Sequence, residues 1–218
     1  MSGTIHFQRL GVEPTALFDA AYALYAEVIE PSTQKSLAAL VKMLANPAYH
    51  FIVATLEEDA GVPVGMAILY VSPRGAVALL EYLLVAAREQ SRGVGGALFE
   101  YVAKVAHSLG ALPLLIECEE ADERDVTTIR RLRFYERLGC KRVAGLTYYL
   151  PLGDEAGAAH PMILLAHAPP TEHMNVVRKT TVQTWLETLY TEVYDRPQTD
   201  PRIARILEPL PEQVPLIA

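Results

Sequence analysis

Between Tyr82 and Leu98 the sequence reads Tyr-Leu-Leu-Val-Ala-Ala-Arg-Glu-Gln-Ser-Arg-Gly-Val-Gly-Gly-Ala-Leu. An apolar strand runs into a short polar loop, then glycines, then a helix. Glycines there let the chain turn sharply and leave backbone N–H groups open at a helix N-terminus, which favours an anion. The pyrophosphate of an ADP-like ligand is the chemistry that matches. Two common phosphate loops are excluded. A P-loop needs Gly-Lys followed by Ser or Thr, and Gly95-Gly96-Ala97 supplies neither lysine nor hydroxyl. The dinucleotide pattern needs a glycine where Leu98 stands.

The segment resembles the acetyl-CoA signature of the GNAT superfamily of N-acetyltransferases. That pattern is Gln/Arg-x-x-Gly-x-Gly/Ala, read here as Gln90-Ser91-Arg92-Gly93-Val94-Gly95, with Val85 in the place of the family's strand-ending valine. A second stretch, Phe134-Tyr135-Glu136-Arg137-Leu138-Gly139-Cys140, resembles the family's Tyr-x-x-x-Gly-Phe segment, with Cys140 replacing the usual aromatic. Thr128 stands where many members carry an asparagine that contacts CoA. The resemblance implies acetyl-CoA as cosubstrate and direct transfer of acetyl to a primary amine of a small molecule or peptide. It implies that the strand edge Leu83, Leu84 and Val85 meets the pantetheine arm. Gln90, Ser91, Arg92, Gly93, Val94, Gly95 and Gly96 would surround the pyrophosphate, and Thr128 is a further cofactor candidate.

Acetyl transfer needs a neutral amine, a polarised thioester, a proton acceptor and a proton donor for the departing thiolate. Tyr135 matches the family's acid, and a phenol stays protonated at neutral pH. Two glutamates compete for the base. Glu81 is the only charge in the run Ala76–Val85, and burial would raise its pKa towards the working range. Glu117, at the end of the next strand, stands where some members place a catalytic glutamate. Either could instead pair with a neighbouring arginine, leaving water as the proton acceptor. Two rival functions remain at this level: a non-catalytic acyl-CoA sensor, and a transferase of a longer acyl group.

The elements that must carry these residues follow from the hydrophobic pattern. Residues 4–10 read as a strand, Thr15–Ile29 as a helix, and Ser32 as the N-cap of a second helix ending at Asn46-Pro47. His50–Leu56 and Val64–Val71 flank the turn-like Glu57–Gly61 as a hairpin. Ala76–Val85 and Leu112–Glu119 are nearly continuous apolar runs, which suit strands covered on both faces. Helices are expected over 92–109 and Val126–Leu138, the second ended by Gly139, and strands over Arg142–Leu150 and Met162–His167. The fold expected is α/β: a mixed, mostly antiparallel twisted sheet of GNAT type flanked by helices, with a C-terminal helical extension. Residues 1–168 would form the transferase domain and 169–218 a helix and proline-rich tail. In that extension Val182, Trp185, Leu186, Leu189, Tyr190 and Val193 make one apolar stripe, which must pack on the domain or complete a homodimer. The prolines at 197, 201, 209, 211 and 215 argue for an extended, partly disordered end.

Composition bounds the partners. The 218 residues are 51% hydrophobic and 21% charged, with a formal net charge of −7. Such a balance gives no sequence-wide attraction for nucleic acid or anionic membrane and favours a cationic acceptor. The acidic stretch Glu117, Glu119, Glu120, Asp122, Glu123 and Asp125 could attract that acceptor or simply be solvated. Arg130, Arg133 and Arg137 share a helical face that could balance this stretch, bind a CoA phosphate or meet only water. Two cysteines, Cys118 and Cys140, suit a reducing compartment as buried apolar residues. His167 and His173 are not spaced for one helical face, so no metal is expected. The absence of a leader-like or membrane-length apolar run leads to the expectation of a soluble cytoplasmic protein.

Overall fold

The computed structural model describes residues 3–75, 77–111, 113–151, 161–169, 171–172 and 174–218. The chain divides into two compact units, Met1–Val71 with Leu80–Ser108, and Ser72–Leu79 with Leu109–Ala218. The strand starts predicted at Ala76 and Leu112, and His173, lie outside the described residues.

In the first unit β1 (Ile5–Arg9) lies antiparallel to β2 (Tyr49–Leu56), from Ile5↔Leu56 to Arg9↔Ile52. β2 in turn lies antiparallel to β3 (Asp59–Val71), starting at Tyr49↔Tyr70, so the predicted hairpin is present. Its turn is tighter than expected, because β3 already begins at Asp59. β4 (Ala78–Val85) is the other neighbour of β3. Helix α1 (Ala16–Val28) starts where the Thr15 hydroxyl accepts from the Phe18 N–H, and it buries Phe18, Ala21, Leu24 and Tyr25 at helical spacing. The cap of α2 (Leu37–Leu44) is Ser36, which accepts from Ala39 N, and not the expected Ser32. Pro31–Thr33 instead forms a short 3-10 turn of its own, and the chain is extended again at Gln34 before α2 begins. Phe18, Tyr25, Leu40, Phe51, Met66, Ile68 and Leu84 form one apolar core. Helix α3 (Val94–Ser108) buries Val94, Leu98, Phe99, Val102, Ala103 and Ala106 along one stripe. Gly65 of β3 lets α3 approach: a Cβ there would lie 3.2 Å from the Leu84 carbonyl oxygen and 3.3 Å from Leu98 Cδ2.

In the second unit Ala78 and Leu79, the start of β4, pair in parallel with Leu114 and Leu115 of β5 (Leu114–Glu119). β5 is antiparallel to β8 (Pro161–His167), from Leu114↔His167 to Glu119↔Met162. β8 also takes β6 (Lys141–Val143) and β7 (Tyr148–Tyr149), both antiparallel. The sequence pattern predicts one strand across 142–150. It splits in two because the backbone reverses through Gly145 at φ +71°. Helix α4 (Val126–Arg137) follows β5 and ends before Gly139, as predicted. The fold is mixed α/β with a mostly antiparallel sheet flanked by helices.

The C-terminal segment departs most from expectation. β9 (Val176–Arg178) leads into α5 (Lys179–Thr188) and a π turn over Leu189–Val193. Val182, Trp185, Leu186, Leu189 and Tyr190 are all buried by this chain itself, so the stripe needs no second subunit to cover it. The end is ordered: α6 (Pro201–Leu207) is followed by β10 (Gln213–Ile217), which pairs with both β6 and β9. Prolines are tolerated because of where they stand. Pro201 opens α6, where no N–H is needed, and the Pro215 carbonyl accepts from Ala144 N at 2.9 Å.

Candidate functional site

The glycine loop joins β4 to α3 within the first unit. Ala86 N donates to the Val64 carbonyl at 2.9 Å, closing the strand, and Ala87–Glu89 makes one 3-10 turn. Ser91 (φ +63°) and Gly93 (φ +87°) then adopt left-handed backbone before α3 opens at Val94. A Cβ at Gly93 would meet nothing within 4 Å, so conformation rather than space demands the glycine there. Gln90, Ser91, Arg92 and Gly93 are exposed, Gly95 and Gly96 half-buried, and Val94 is anchored in the core. The first-turn N–H groups of Val94, Gly95 and Gly96 have no partner within the helix. Leu84 is core, whereas Leu83 and Val85 are half-buried. One charged residue of this loop carries no signal in the sequence. Glu89 is buried and carries Arg92 and Arg88 as partners.

Glu81, also in the first unit, has a side chain only 6% exposed. The Tyr49 hydroxyl donates to its Oε1 at 3.1 Å, and Lys35 Nζ lies 3.6 Å from its Oε2. Burial raises the carboxyl pKa above the ordinary range, with Lys35 and Tyr49 opposing that rise. The pairing foreseen for Glu81 therefore exists, with a lysine in place of an arginine.

Glu117, Thr128 and Tyr135 belong to the second unit. Glu117 accepts hydrogen bonds from the Tyr148 and Tyr194 hydroxyls, one on each carboxylate oxygen. Tyr148 comes from β7. Tyr194 is delivered by the π turn, next to Asp195 in left-handed backbone at φ +53°. No local pattern around Glu117 announces either phenol, since they lie 31 and 77 residues away. Tyr135 is 7% exposed; burial raises its pKa, and Cys118 and then Cys140 add to the rise.

The acidic stretch is largely paired. Glu119 bonds Arg131, Glu120 lies 2.9 Å from Arg142, and Asp122 lies 3.1 Å from Arg124. The balancing arginine of α4 is thus Arg131, and not the face formed by Arg130, Arg133 and Arg137, which is exposed. Hydrogen bonds from Arg124 and Thr127 hold the Asp122 and Asp125 pKa values, respectively, below the ordinary range. Glu119–Asp125 and Thr128 line a cleft of about 650 Å³. The Thr128 hydroxyl donates to the Asp125 carbonyl at 2.8 Å and accepts from Asp122 N at 2.9 Å. It serves as a clasp for this loop, which takes up the donor that a cofactor contact would use.

A family model described as the acetyltransferase (GNAT) family matches residues 16–140. The chain belongs to the GNAT acetyltransferase family. Among solved structures, a protein assigned to the GNAT family from Bacteroides thetaiotaomicron is 19% identical, with a TM-score of 0.67. The match covers 87% of this chain and 98% of that one. An aminoglycoside 6'-N-acetyltransferase complexed with coenzyme A is 19% identical (TM-score 0.58, covering 77% and 99%). The ribosomal-protein-S18-alanine N-acetyltransferase from Escherichia coli is also 19% identical (TM-score 0.54, covering 78% and 100%). No curated protein matches the sequence. GNAT acetyltransferases use acetyl-CoA as cosubstrate, and the β4–α3 junction suits its phosphates: open first-turn N–H groups, an exposed glycine and two exposed arginines. Among the described residues no cluster of His, Cys, Asp and Glu could hold a metal ion. Nor, among them, is any helix long and apolar enough to cross a membrane.

Proposed function

We propose that this GNAT protein moves the acetyl group of acetyl-CoA directly to a primary amine of a small molecule or peptide. The observation that carries the reading is the β4–α3 junction, where exposed Gly93 at φ +87° leads into the open N–H groups of α3. Bound acetyl-CoA supplies the thioester. Glu81 takes the proton that the attacking amine loses, since its burial favours the protonated form more than water would. Tyr135 gives a proton to the sulfur as the carbon–sulfur bond breaks. Burial keeps the phenol protonated at neutral pH, ready for that step.

Glu117 plays a different part in this reading. With a phenol on each oxygen it is a fixed acceptor, suited to orienting an amine more than to swinging towards a proton. The chain's net charge of −7 and the acidic cleft beyond β5 favour a cationic acceptor. The two structural neighbours named above act on an aminoglycoside and a ribosomal protein, so both small and polypeptide amines belong in the screen. The test is thiol release from acetyl-CoA across such a panel, alongside a thermal shift with acetyl-CoA, CoA and NAD. Turnover with one amine class, and a melting rise with the CoA species alone, is the expected result. Binding without turnover on any amine would point to an acyl-CoA sensor. No binding would end the reading.

A further inference from the structure

A buried carboxylate inside a loop that suits an anion is a contradiction with content. Glu89 is 8% exposed and closes the 3-10 turn Ala87–Glu89. Arg92 Nη1 lies 3.2 Å from its Oε2, and Arg88 Nε lies 3.8 Å from its Oε1. The arginine side chains themselves are 67% and 59% exposed. Left-handed backbone on both sides of Arg92, at Ser91 and Gly93, sets where that residue leaves the loop. Glu89, Arg92, Val94 and Glu58 are among the residues that line one cleft of about 340 Å³. A guanidinium has five donors in a rigid fork. In Arg92 one nitrogen is engaged by Glu89, and the side chain as a whole stays exposed.

We propose that Glu89 is a positioning residue for acetyl-CoA, its buried carboxylate holding Arg88 and Arg92 so that their remaining donors meet the cofactor's phosphates. The inference rests on the acetyl-CoA reading of this loop and goes beyond it, since neither Glu89 nor Arg88 belongs to the glycine signature. Two effects of removing the Glu89 charge oppose each other. By Coulomb's law alone, one negative charge fewer beside a phosphate tightens binding. Without its anchor, each arginine is a long, free side chain that must be ordered when the phosphates arrive, which weakens binding. The sign of the change separates the two.

The experiment is calorimetric titration of acetyl-CoA into wild type, Glu89→Gln, Arg92→Ala and the double variant, with melting followed by circular dichroism. Glu89→Gln should weaken binding about three- to tenfold, the effect of losing a preorganised charge-assisted contact, while melting near wild type. The double variant should bind little worse than Arg92→Ala, because Glu89 acts mainly through that arginine. Unchanged or tighter binding by Glu89→Gln, with wild type still binding, overturns the inference and leaves the loop reading intact. Absence of binding by wild type removes the loop reading and the inference together. If Glu89→Gln fails to fold, Arg92→Lys decides. It keeps the charge but loses the fork, so affinity should fall about threefold, and wild-type affinity would overturn the inference.

Discussion

Tyr135 and Glu81 show what can be asked of single residues. Tyr135→Phe removes one oxygen from a buried site and should lower kcat about a hundredfold, the usual scale for a lost general acid, with the KM for acetyl-CoA nearly unchanged. Steady-state kinetics with the best amine would check this, and an undiminished kcat would sink the acid role. Glu81 links function to stability. Its folded pKa is raised, so its contribution to stability is complete below the ordinary carboxyl value of 4.5 and is lost as pH rises through the folded value. Wild type, compared at a pH near the ordinary carboxyl value and at an alkaline pH, should therefore lose stability relative to Glu81→Gln as pH rises, while the variant loses activity. Melting curves at both pH values would show it, and a pH-independent difference would argue that Glu81 is not perturbed. Both are candidates on the strength of their positions in the chain. Lys35, Tyr49, Tyr148 and Tyr194, which set the environments of the two glutamates, could not be found that way. Each reaches its partner across tens of residues, and nothing local marks a tyrosine as a partner when the chain holds eleven.

At the scale of elements, the cofactor loop depends on where α3 begins, and that depends on β3. Gly65 looks like one more glycine in a strand, yet a Cβ there would press on Leu98 and lie 3.5 Å from Val94 Cγ1. Gly65→Ala should push the first turn of α3 from the sheet, at a cost of about 1–3 kcal/mol for overpacking, and weaken acetyl-CoA binding. Denaturant melts and titration would measure the two effects, and loss of neither would show that α3 is not positioned there. The strand–loop–helix order around 82–98 was legible because a buried strand, a polar turn and an amphipathic helix each have their own period. The Ser32 cap was misplaced for a simple reason. Ser32 and Ser36 both stand ahead of the apolar stripe that starts at Leu37, and only the backbone after Pro31 decides where the helix starts.

At the scale of the whole molecule, the residues after the glycine and tyrosine motifs are part of a folded unit. Deleting 208–218 would remove β10 with the buried Val214 and Leu216, whose burial is worth about 3–6 kcal/mol together, a large part of a typical folding free energy. Trp185, the only tryptophan and 2% exposed, gives a direct readout. The truncated chain should show red-shifted emission and early melting, and unchanged emission would mean that β10 is dispensable. By itself the sequence determined the mixed α/β order, the anion-suited loop, the two motifs of the GNAT family and the short list of acids, because these live in residue type and near-neighbour spacing. Only the tertiary structure decided that the proline-rich end is a strand, that the Trp185 stripe is covered within the chain, and that Glu89, Glu81 and Glu117 each have fixed partners. Those outcomes turn on which distant segments share a sheet edge or a buried pocket, and the energy that selects among them comes from packing that no local window contains.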